Sequence, residues 1–159
     1  MGSARSWEHP LASTLLWHAI GKMNKGSILA LTGKASAAVQ TSVTGISEWR
    51  QTGGSLLLPW YLSNLAMAYG ELGQFDDAWR SIGEAITAVE TTKETWCEAE
   101  VHRTAGEIAL KSPEPDTAKA QGYFERALAV ARGQPSGTRL AIFSLRSLAG
   151  SPKASTRSI

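Results

Sequence analysis

The first candidates for nucleophilic, acid–base or metal chemistry in this chain are one cysteine, three histidines and dispersed acids. Cys97 stands between Trp96 and Glu98, neither of which lowers a thiol pKa, and a nucleophile also needs an activating base and an oxyanion site. It reads as a small helix residue. His9, His18 and His102 lie far apart, and no His-Glu-x-x-His run is present to hold zinc. Glu98 and His102 are one helical turn apart and offer half of a metal site at most. The plainer reading is a histidine paired with a carboxylate. A phosphate loop needs a glycine, four spacers and Gly-Lys-Ser/Thr, so that backbone N–H groups can cradle the phosphate. Gly33-Lys34 is followed by Ala35, with Ile28 where the first glycine belongs. Gly21-Lys22 is followed by Met23, with Leu16 at that place. No catalytic residue, metal or cofactor is expected, and the chain reads as a non-enzyme.

Binding chemistry is better represented. Six tryptophans are spread along the chain, and tryptophan joins large contact area to a polar N–H. Trp17, Trp49 and Trp79 fall on apolar stripes and are expected in a core. Trp60 and Trp96 fall at the starts of hairpins, where core and contact surface are equally open.

The elements that position these residues follow from composition and pattern. At 159 residues one domain is expected, burying roughly two-thirds of its unfolded surface. A net charge of +2 with interleaved signs gives no basic face for nucleic acid. One cysteine rules out an internal disulfide and fits a reducing, cytoplasmic setting. The apolar stretches at 11–20 and 56–62 are too short for a membrane span. The first lacks a small-x-small cleavage site and is read as helix rather than leader.

A repeat of forty residues organises the chain. Gly26, Ala66 and Gly106 share one register position, and Leu29, Tyr69 and Ala109 lie close by. Gly33 and Gly73 mark turns, with Pro113 at the third. Ala38 matches Ala78, and a two-residue insertion in the 111–116 loop brings Ala120 into line. Gly45, Ala85 and Ala127 follow, beside Ile46, Ile86 and Leu128. Small residues are needed where two helices cross closely, with larger apolar residues at three- and four-residue spacing beside them. The expectation is an all-α domain over residues 10–149. Its hairpins span about 12–52, 56–92 and 94–132, followed by an amphipathic helix at 138–149. Residues 1–9 read as a flexible N-terminus and 150–159 as a disordered tail.

The stretch 64–78, NLAMAYGELGQFDDA, with Pro59, Leu62, Ile82 and Ala85, resembles a tetratricopeptide repeat. The flanking hairpins depart from that pattern. Lys22 and Lys25 replace Leu62 and Leu65, and Ser42 replaces Ile82. Over about residues 26–132 the chain is also similar to the C-terminal repeat region of bacterial multidomain signalling proteins. Those proteins join a nucleotide cyclase or DNA-binding domain to an ATPase domain and then to helical repeats. The resemblance implies a right-handed α-α superhelix and a regulatory or sensor role, with any activity supplied by another polypeptide.

It further implies a concave groove lined by first helices. By register the groove positions are Trp60, Ser63, Asn64, Met67 and Glu71 in hairpin two. In hairpin three they are Glu100, Arg103, Thr104, Glu107 and Lys111, and in hairpin one Met23, Ser27 and Ala30. That surface suits an extended peptide or a helix from a protein partner. Apolar residues at the ends of the stack imply a homodimer. Two other readings stand beside this one: a self-association domain with no external ligand, and an enzyme with an unrecognised pocket.

Overall fold

The computed structural model describes residues 10–135. The expected flexible N-terminus, the 138–149 helix and the 150–159 tail lie outside the described residues. Among the described residues there are six α-helices and no strand. They are α1 Pro10–Leu31, α2 Ala35–Gln51, α3 Leu58–Glu71, α4 Phe75–Thr92, α5 Glu98–Lys111 and α6 Thr117–Gly133, with a 3-10 turn at Thr95–Cys97 before α5.

Tight turns join the helices within each hairpin. Gly33 and Gly73 adopt the left-handed region, at φ +81° and +74°. Each ends a helix with the same pair of bonds. Lys34 N–H donates to Leu29 O at 2.9 Å, and Gln74 N–H donates to Tyr69 O at 2.9 Å, while the glycine N–H groups reach Ala30 and Gly70. A glycine takes this conformation without a Cβ penalty, which is why the turn returns at the same register. The third turn is longer and starts α6 differently, with the Asp116 carboxylate capping the Lys119 N–H at 2.8 Å.

Packing follows chain order. α1 lies along α2, α3 along α4 and α5 along α6. Hairpins meet through α1–α3, α2–α3, α3–α5 and α4–α5. The small residues sit at the crossings. Ala66, Ala38, Ala78 and Ala85 are fully buried, and Ala120 and Ala127 nearly so. A Cβ on Gly45 would come within 2.9 Å of the Met23 backbone nitrogen, and one on Gly26 within 3.0 Å of the Ser42 nitrogen. The first hairpin therefore crosses more closely than any larger residue allows. Its departures from the repeat are accommodated in the same way. Ser42 tucks beneath Gly26, and Lys22 turns its ammonium to Glu48.

One core expectation is corrected. Trp17 is 68 % exposed. The buried face of α1 runs through Ala19, Met23, Gly26 and Ala30, whereas Trp17 shares a solvent face with Gly21, Asn24 and Ile28. Trp49 is buried, and Trp79 packs against the core from its edge.

Candidate functional site

The first helices α1, α3 and α5 are sewn together by polar side chains. The Tyr61 hydroxyl donates to Asn24 Oδ1 at 2.8 Å, and Asn64 Nδ2 donates to Ser27 Oγ at 3.1 Å. Ser63 Oγ donates to Thr104 Oγ1 at 3.2 Å, and Lys111 pairs with Glu71. Buried hydroxyl and amide groups must find partners, and here they find one another across helices that each come from a different hairpin.

This network redistributes the residues expected to line a groove. Ser63, Asn64 and Thr104 are buried in helix–helix contacts, as are Met23, Ser27 and Ala30. None of them presents a free surface to a ligand. The matched donors and acceptors, 37 to 41 residues apart, were the sequence signal for a seam rather than a groove. Trp60, Met67, Glu71, Glu100, Arg103 and Glu107 keep solvent access.

Those six fall into an aromatic end and a charged end. The Trp60 and Trp96 rings lie 5.7 Å apart and tilted by 38°. Beside them the N–H of Leu57 donates to both oxygens of Glu94, at 2.8 and 2.9 Å. Leu57 is left-handed at φ 65°, an uncommon conformation for a branched residue, so the Glu94 carboxylate steadies a strained entry to α3. Farther along, Arg103 is held between Glu100 and Glu107. Burial works against its charge, but the two carboxylates more than offset that and raise its pKa. Half-buried Met67 packs beside Ala30, Ala38 and Ala68 and has only apolar surface to offer.

A second concavity, which the sequence reading did not foresee, lies between α2 and α4 over the back of α3. Its two compartments measure about 610 and 530 Å3. The Arg50–Glu84 pair, at 2.6 Å, stands where the compartments meet. Most of the floor, including Ile46, Leu62 and Leu65, is already covered by protein.

Titratable groups give little purchase for chemistry. Cys97 is fully buried, and burial together with Glu94 pushes its thiol up to about 12, so the thiolate is scarce near neutrality. His102 is 3 % exposed, stacks on Tyr123 at 6.2 Å and points Nε2 toward Glu98 at 3.7 Å. Its Nδ1 has no hydrogen-bond partner among the described residues. Burial and then Arg126 lower its pKa, against an opposing pull from Glu98. No group of three or more His, Cys, Asp or Glu side chains is placed to hold a metal ion among the described residues, and no helix there is long and apolar enough to cross a membrane.

A pH dependence follows. An unfolded histidine titrates near 6.5, and His102 in the fold titrates lower, so the unfolded chain binds the proton more readily. The contribution is complete above about pH 6.5 and is lost as pH falls toward the folded pKa. Chemical denaturation between pH 7.5 and 5.5 is expected to show stability declining on acidification, with a shallower slope in His102→Gln. Equal slopes would contradict the assignment.

Compared with known proteins, the sequence matches no protein-family model, no curated protein and no solved structure.

Proposed function

We propose that this chain is a non-catalytic binding module of tetratricopeptide-like hairpins, forming a right-handed superhelix whose first-helix face captures a peptide or helix from a protein partner. One observation carries the reading. Along that face the polar groups are already engaged with one another, while Met67, Trp60 and Trp96, packed on the core along one side, keep part of their apolar surface open to solvent. Tryptophan and methionine on a stiff helical surface are effective anchors, since they bury much area for little lost side-chain freedom or adapt readily to the partner. The ligand that fits has an apolar anchor for Trp60, Trp96 and Met67. A basic group beside it would meet the Glu107 carboxylate, the more exposed of the two that hold Arg103.

The sequence resemblance supports a role in a bacterial signalling assembly, as a regulatory or sensor part acting on a cyclase or ATPase carried by another polypeptide. Peptides selected by display on the folded protein test the reading. Alanine at Met67 and at Arg103 is expected to weaken selected peptides by about tenfold each, roughly 1.4 kcal/mol, with the helical fold retained by circular dichroism. Wild-type affinity in both variants removes the groove.

A further inference from the structure

The three second helices are held unequally. α2 and α4 each bury five residues, whereas α6 buries two, Ala120 and Ala127. α6 relies on rings instead. Phe124 lies over Gly106 of α5, where an added Cβ would fall 2.7 Å from the ring. Tyr123 lies 6.2 Å from Trp79 of α4 and 6.2 Å from His102 of α5, on which it stacks at 21°. The Lys119 ammonium closes the row, 3.8 Å from the centre of the Trp79 ring. His102 is the member of that row whose charge changes nearest to neutrality. It is 3 % exposed, and its Nδ1 has no hydrogen-bond partner among the described residues. With Nε2 turned to Glu98, the neutral ring leaves Nδ1 as a bare acceptor. The protonated ring would bury an unanswered N–H there, at a cost comparable to a lost hydrogen bond.

We propose that the His102–Tyr123 stack is an acid-sensitive latch, through which protonation of His102 releases α6 from α4 and α5 while α1–α5 stay packed. The surrounding charges give the release its direction. Arg126, on α6, repels an imidazolium at this position, whereas Glu98 on α5 and Glu90 on α4 attract it. α3 carries one charged residue, Glu71, which Lys111 holds at the other end of α5. A charged His102 is therefore drawn toward α4 and α5 and pushes the weakly buried α6 away. The rest of α5 is anchored elsewhere. Val101, Ala105 and Ile108 belong to the main core, and Ile108 meets Gly70 of α3. With α6 released, His102 titrates near 6.5; with α6 docked it titrates lower, chiefly because burial disfavours its charge. Docking thus weakens as pH falls below about 6.5, and a single proton changes the release equilibrium by at most about tenfold per pH unit.

Hydrogen exchange followed by mass spectrometry on the full chain tests the latch, read as protection factors at about pH 7.5 and 5.5. In the wild type, protection across α6 is expected to fall about three- to tenfold on acidification, while that of α3 is unchanged. His102→Gln carries no charge at either pH, so its α6 protection stays constant. Arg126→Glu, at an exposed position, replaces repulsion by attraction and is expected to lose about twofold or less. That variant decides the matter if His102→Gln loses helicity by circular dichroism. Constant α6 protection in the wild type overturns the proposal, as does a wild-type loss in folded His102→Gln or in Arg126→Glu. A loss shared equally by α3 overturns it in favour of global acid unfolding.

Discussion

Gly45→Ala is expected to lower the unfolding free energy by about 1–2 kcal/mol, although alanine is the better helix former. In an open helix position the exchange stabilises by about 0.5–1 kcal/mol. At Gly45 the added Cβ falls 2.9 Å from both the Met23 nitrogen and the Lys22 Cβ. Backbone cannot step aside as a flexible side chain does, and overpacking of this kind costs typically about 1–3 kcal/mol. Gly83 is the matched control, because it lies exposed in α4 with nothing within 4 Å of an added Cβ. Gly83→Ala should therefore stabilise by about 0.5–1 kcal/mol. Urea denaturation of both variants reads the two signs side by side, and a stabilising Gly45→Ala would contradict the close crossing of α1 and α2.

Ile108→Ala should be costlier still, at about 2–5 kcal/mol. Ile108 is 2 % exposed, sits in the main core and faces Gly70 of α3, so it joins hairpin three to hairpin two. Truncation removes buried carbons from a contact between two stiff helices, which close poorly around the gap. Against a total stability of about 5–15 kcal/mol such a loss is large. Leu72→Ala, at an exposed turn position, should stay within about 0.5 kcal/mol of wild type. A loss below about 1 kcal/mol for Ile108→Ala would mean that α3 and α5 are not packed through this side chain.

Much of the helical layout was legible in the sequence because periodicity and turn chemistry are local. Gly33 and Gly73 announced two turns, and the recurring alanines announced the crossings. The burial of Ser27, Ser63, Asn64 and Thr104 was harder to foresee. Polar residues at regular spacing on a first helix look the same whether they face a ligand or each other, and only the pairing across hairpins decides between them. Trp17 misled for a related reason. It falls within an apolar run, but the run winds around α1, and Ala19, Met23, Gly26 and Ala30 take the buried face while Trp17 turns to solvent. The α2–α4 concavity had no sequence signal, since it is a gap left between helices distant in the chain. The strained Leu57, held by Glu94, likewise depends on two loops meeting.

The claim beneath all of this is that hairpins lie in series, each first helix resting on the one before it. Methyl-resolved nuclear Overhauser spectra measure that directly. Serial packing predicts cross-peaks from the Ala30 to the Ala68 methyl and from the Ile108 methyls to the Gly70 α protons, tying α1 to α3 and α3 to α5. Cross-peaks from Val43 or Ile46 of α2 to Leu128 of α6, with those pairs missing, would mean the helices close on themselves as a bundle.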